Sequence, residues 1–333
     1  MKKISNMLSI ILLCGLILSA CSTAAQTSEP KAAESAATQA PAPKAAVTAL
    51  TPESAAPAAP ATAQPAAGSA VQHSAVPQNP PSAGGKKWGD QSTISSINKA
   101  RALGGDRFAL GRFERPYNAD KMDVYFPQLD IDRVVLYPED PTWVYTVVTM
   151  VGRDANNAFT GQYAIQLDLD RDVRGDILVL VDQPASAEWT TQGVHVYADT
   201  NKDVGGVNPI RADTAGAAGN GFETVLFDQG SGKDADLAWV RLDPGNPASF
   251  QIAFKQSLLA GSKAYTADVW AGTHLDPALF DYNDHFTHEQ AGAADTEIVN
   301  FYPIKGLSEM DNTCRQAVGF NPKGTELGIC LPE

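Results

Sequence analysis

The sequence predicts an all-β fold, an antiparallel β-sandwich of jelly-roll type with about ten strands. Three observations carry that expectation. Apolar and polar residues alternate over short runs, most clearly where Tyr163, Ile165, Leu167 and Leu169 interleave with Ala164, Gln166, Asp168 and Asp170. A period of two puts one set on the buried face of a strand. Such runs recur every 10 to 20 residues between clusters of Gly, Pro, Asn and Asp, and the long amphipathic helices that a parallel sheet needs between its strands are missing.

Along the chain the strand-like runs fall at residues 124–126, 134–137, 143–151, 163–169, 176–181, 194–197, 224–227, 237–242, 250–254 and 265–270. Only 92–103 and 256–259 read as helical, and both are brief. The sandwich is therefore expected over 86–275, with 276–333 as an extension packed on the same domain. Trp143, Trp239 and Trp270 lie in strand runs and read as core. Trp189 lies in a loop-like stretch, where its ring either stacks on a ligand such as a sugar or packs against the protein.

The chain opens with Met1-Lys2-Lys3 and an apolar stretch to Leu18, the pattern of a secretory signal peptide over residues 1–20. The stretch is short for a membrane span, which needs about 20 apolar residues. The tetrapeptide that ends it, Leu18-Ser19-Ala20-Cys21, resembles the lipobox of bacterial lipoproteins. That resemblance implies diacylglycerol, with chains such as palmitate, on the thiol of Cys21. It also implies cleavage before Cys21 and a place on the extracytoplasmic face of the cell membrane. Each buried methylene adds about 0.8 kcal/mol, so two or three acyl chains hold where one does not. Residues 22–85 are rich in Ala, Pro, Ser, Thr and Gln. Such a composition buries too little apolar area to offset its chain entropy, and a disordered tether is expected over 21–85. As a coil it reaches roughly 45 Å.

Of the chain's 25 basic and 38 acidic residues, four and three precede residue 86, which leaves 21 against 35. A domain with a net charge of about −14 repels nucleic acid and attracts cations such as calcium. Of four cysteines, Cys14 leaves with the signal and Cys21 carries lipid. Cys314 and Cys330 remain, and in an oxidising compartment they are expected to pair.

Two acidic runs stand out. Asp168, Asp170, Asp172 and Asp176 fall within nine residues, and calcium takes six to eight hard oxygens when such a loop curls. Val173 and Val179 stand where an EF-hand has Gly and Glu, so the run is not an EF-hand. Two readings stay open: a calcium-stapled β-loop, or a hairpin whose aspartates are neutralised by Arg171 and Arg174. Asp199, Asn201 and Asp203 repeat the ligand spacing, and here plain turn chemistry competes with metal. A third run, residues 281–289, holds His285 and His288 among carboxylates. It reads as a transition-metal or general-base site, or as a packed surface loop. No phosphate loop, nucleophile elbow or dinucleotide fingerprint occurs.

The order of strand, acidic loop, strand, Trp-bearing loop, strand, acidic loop, strand resembles extracellular modules related to family 9 carbohydrate-binding modules and DOMON domains, over roughly 105–275. It implies ligand binding on a sandwich, calcium in some members, and no catalysis by the module. The expectation is thus a calcium-stabilised, surface-tethered binding module with glycan the leading ligand. A carboxylate- or metal-dependent hydrolase, or a structural envelope protein, is the alternative.

Overall fold

A computed structural model describes residues 71–94, 106–119, 121–208, 218–293 and 302–331. The signal sequence, Cys21 and the tether up to residue 70 lie outside the described residues, as does most of the helix expected at 92–103. No described helix is long and apolar enough to cross a membrane.

Fourteen strands follow one another: β1 (Lys86–Gly89), β2 (Glu114–Arg115), β3 (Ile131–Tyr137), β4 (Trp143–Met150), β5 (Gln162–Asp168), β6 (Ile177–Asp182), β7 (Val194–Ala198), β8 (Thr224–Asp228), β9 (Ser231–Gly232), β10 (Ala238–Leu242), β11 (Ser249–Lys255), β12 (Tyr265–Gly272), β13 (Met310–Asn312) and β14 (Gln316–Val318). All their pairings are antiparallel. One sheet runs β1-β3-β4-β11-β10; the other runs β2-β13-β12-β5-β6-β7-β8-β9, with β14 also on β12. This is the antiparallel sandwich that the alternation predicts. The brief helical turn at Gln256–Leu259 is also present. The run at 124–126 makes a single bridge, Tyr117 to Tyr125, because Pro127 ends it and Pro116 faces it without an N–H to donate.

Val134, Leu136, Val148, Phe250, Ile252 and Phe254 of the first sheet meet Ile165, Leu167, Val179, Val181, Val196 and Val269 of the second. Each such side chain contributes about 1.5–3 kcal/mol on burial. The expected solvent face of β5 is not solvated: Ala164, Gln166 and Asp168 are buried too. The reason is a third layer, in which Phe108, Phe113, Phe280, Tyr282 and Leu307 cover Ala164, Leu178, Leu180 and Trp270 on the outer face of the second sheet. Gln166 is accommodated there by accepting from Trp270 Nε1 at 3.0 Å. The extension beyond 275 supplies much of this layer and two strands of the sheet.

The outer face of the first sheet is covered as well. Residues 71–85, which composition assigns to the tether, lie against Trp143, Tyr145 and Trp239. Asp236 gathers the start of this strap, accepting from His73 Nδ1 (2.7 Å), Ser74 N (2.8 Å), Ser74 Oγ (2.7 Å) and Ala75 N (2.9 Å). Burial pushes the Asp236 carboxyl up, and these hydrogen bonds outweigh it, holding it at about 2. Farther along, Gln78 N donates to Tyr145 Oη at 3.1 Å and Arg241 Nη2 to Asn79 Oδ1 at 2.7 Å.

Candidate functional site

The two acidic loops have one design. Asp168 ends β5, and its Oδ1 accepts from Arg171 N (2.5 Å) and Asp172 N (3.2 Å) while Oδ2 accepts from Val173 N (2.9 Å). Asp199 follows β7, and its Oδ1 accepts from Lys202 N (2.7 Å) and Asp203 N (3.3 Å) while Oδ2 accepts from Val204 N (2.9 Å). In each loop the first aspartate gathers the N–H groups three, four and five residues on. The basic residue at the fourth place is left-handed, with φ 65° at both Arg171 and Lys202. Because β5 and β7 flank β6 in parallel orientation, both loops leave the same end of the sheet.

The loops brace each other. Lys202 Nζ sits 2.8 Å from Asp170 Oδ2 and 2.6 Å from Asp176 Oδ1. In return Arg174 Nη1 donates to Val204 O and Asp284 Oδ2, both at 3.1 Å. Gly205 lies against this guanidinium; a Cβ there would come within 2.5 Å of Arg174 Nη1. The Lys202 ammonium holds Asp170 below the usual carboxylate range, and the two carboxylates raise Lys202. Burial pushes Asp168 up to about 6 and raises Asp172.

Asp168, Asp170 and Asp176 each bring one carboxylate oxygen within 4.8 Å of the others. Asp172 is outside this set, and Asp199 and Asp203 form no such triad among the described residues. Asn201 Nδ2 reaches Asn220 Oδ1 at 2.8 Å rather than the aspartates. The neutralising cation differs from the one expected in an arginine-closed hairpin. Arg171 lies over the Phe320 ring at 4.8 Å, Arg174 turns to Asp284, and a lysine from the neighbouring loop takes the carboxylates.

Next to the first loop is a cleft of about 390 Å³, walled by Asp168, Asp170 and Arg171 on one side and Phe320, Lys323 and Glu326 on the other. It shares Phe320, Asn321, Lys323 and Ile329 with a larger cleft of about 890 Å³, which reaches Lys86, Lys87 and Arg112. The wall made by the tail is held by the Cys314–Cys330 disulfide, so the expected pairing is present. A bridge between Arg315 and Ile329 adds two hydrogen bonds, Arg315 N to Gly328 O and Cys330 N to Arg315 O, each 2.9 Å.

Trp189 is elsewhere, on the strapped face. It is half-buried, its Nε1 donates to Gln78 O at 3.1 Å, and Arg241 covers its ring at 4.6 Å. The groups of 281–289 are engaged in packing and ion pairs. Asp281 accepts from Arg315 Nη2 at 2.9 Å, Asp284 pairs with Arg174, and the buried His288 ring lies 4.6 Å from Phe108.

Local-motif reading missed three features. Lys202 and the tail residues Phe320 and Lys323 come to the first loop only through folding. A separate buried group of carboxylates, Asp90, Glu114, Asp130 and Asp311, is likewise assembled only by folding. No protein-family model, curated protein or solved structure matches the chain.

Proposed function

We propose that this protein is an extracellular binding module, stabilised by calcium and without catalysis, that is held on the extracytoplasmic face of the cell membrane by lipid on Cys21. The observation that carries the binding reading is the pair of joined clefts along the disulfide-closed tail. Each, at about 390 and 890 Å³, is of a size that suits a small ligand. Glycan is the ligand class, because Phe320 offers an apolar ring while Asp170, Asn321, Lys323 and Glu326 place charged and amide groups around it. A sugar needs both a face to stack on and partners for its hydroxyls. Calcium, when it binds the first loop, displaces the Lys202 ammonium from Asp170 and Asp176.

The mature full-length chain, displayed on a glycan array in millimolar calcium and again with chelator, tests this reading. Retention of one glycan class is expected, with loss on Phe320→Ala and on Lys323→Ala and no release of cleaved sugar. Binding to no glycan removes glycan as the ligand; release of product replaces the module with a hydrolase.

A further inference from the structure

Isolated carboxylates are costly to bury, and buried ones are paired, hydrogen-bonded or bound to metal. Four carboxylates meet this rule only in part at the margin where the edge of the first sheet meets the edge of the second. Asp90 follows β1, Asp130 precedes β3, and Glu114 and Asp311 stand opposite each other on β2 and β13. The side chain of Asp90 is 2% exposed, and Glu114, Asp130 and Asp311 are 3%, 0% and 0% exposed. Among the described residues each has one buried oxygen with no hydrogen-bond partner: Asp90 Oδ2, Glu114 Oε1, Asp130 Oδ1 and Asp311 Oδ1.

Three of the carboxyls are aimed by their second oxygen. Asp311 Oδ2 accepts from Ile131 N at 2.7 Å, a link from one sheet to the other. Asp130 Oδ2 accepts from Tyr125 Oη (2.7 Å), Ser92 Oγ (3.0 Å) and Thr93 N (3.2 Å). Asp90 Oδ1 meets Arg112 Nη2 at 3.4 Å. Among the described residues Arg112 is the cation that reaches the group. Arg115 is turned away, bound to Asp106 and to Ala291 O and Leu307 O. Burial pushes Asp90 up to about 7 and Asp130 to about 6; burial and mutual repulsion raise Glu114 and Asp311 well above the usual range. Positive charge is in short supply here.

One oxygen each from Asp90, Glu114 and Asp311 lies within 4.8 Å of the others. Two oxygens on opposite sides of a calcium ion, each at about 2.4 Å, are about 4.8 Å apart. We infer that Asp90, Glu114 and Asp311, with the Asp130 carboxylate beside them, form a buried calcium site that staples β1 and β3 to β2 and β13. An all-oxygen set of carboxylates excludes the soft metals. Magnesium keeps several of its waters, which a site this buried does not favour. The site is independent of the two exposed loops and of any glycan.

The full chain, stripped with chelator and dialysed against micromolar calcium, tests this by bound-calcium analysis and thermal melting. The parent should retain calcium and melt roughly 3–8 °C higher than its stripped form. Asp311→Asn and Glu114→Gln keep the shape and remove one charge each. At micromolar calcium both should lose the retained ion and most of the response, while Asp170→Asn keeps both. Stripped Asp311→Asn should also melt no lower than stripped parent, since the amide relieves repulsion. Tyr125, bonded to Asp130, should sensitise terbium emission in the parent and not in Glu114→Gln, a readout that stands if Asp311→Asn does not fold. A parent that holds no calcium, or variants that respond like it, overturns the site. So does a response abolished by Asp170→Asn instead.

Discussion

Replacing Lys202 by Gln removes the ammonium that sits between Asp170 and Asp176 and keeps most of the side chain. Lys202 is 57% exposed and Asp170 51%, whereas Asp176 is 15% exposed, so solvent screens one pair far more than the other. Exposed pairs are worth about 0.2–1 kcal/mol each. The three carboxylates left behind lie within 4.8 Å. Their repulsion at that distance is about 1 kcal/mol per pair at the dielectric constant of water, before screening by salt. A net loss of about 1.5 kcal/mol follows, or roughly 3–6 °C in melting midpoint for a domain of this size. The measurement is differential scanning fluorimetry of Lys202→Gln in chelator, with and without added calcium, in an Asp311→Asn background that silences the buried site. Calcium should restore most of the lost midpoint in Lys202→Gln and move the Lys202 protein less, because the ammonium already fills the place. Raising the salt should shrink the difference. If Lys202→Gln melts within a degree of its parent and both respond alike to calcium, Lys202 is a solvated side chain and the loop has no need of a cation.

Reduction or Cys330→Ser should lower stability by about 3 kcal/mol, the chain-entropy value for a loop of this length, and should loosen residues 315–331 first, as seen by hydrogen exchange. Asp236→Asn should expose residues 71–80 to protease while the sheets stay protected. Because Asp236 is held at about 2, the contribution it makes is present above the unfolded value near 3.8 and is lost as pH falls toward 2; unchanged protection in the variant would refute the role of the carboxylate. Asp268 shows the opposite sign: burial raises it to about 7, so its favourable contribution exists below pH 3.8 and is lost as pH rises through 7. Asp268→Asn keeps an acceptor for Trp270 Nε1 and should flatten the decline in melting midpoint between pH 5 and 8; an unaltered slope would show that Asp268 does not titrate there.

The long strands were legible because each carries its own alternation, as Tyr163, Ile165 and Leu167 do on β5. The short ones were not. β2 and β13 are two and three residues long and exist only because each pairs with the other and β13 pairs with β12. The acidic loops announced themselves by contiguous spacing, but their neutralising cation did not, since Lys202 belongs to the second loop and serves the first. Asp90, Glu114, Asp130 and Asp311 lie far apart in the chain, each beside unremarkable neighbours, so no window of sequence contains them together. Prolines 77, 80 and 81 mark residues 71–85 as linker, and only the aromatic residues beneath reveal why that stretch lies down on the sheet.

That strap gives the domain a graded response to mechanical load. A pull at residue 71 is borne first by the Asp236 carboxylate, whose four donors come from three consecutive residues. Bonds arranged in series along the pulled chain yield one after another, at low force. Residues 71–85 then peel away and bare Trp143, Tyr145 and Trp239, while β1 still holds its register with β3. In a single-molecule pulling trace this appears as an early, reversible lengthening of at most roughly 50 Å, the extended length of fifteen residues less the span they already cover, well before the sheets part.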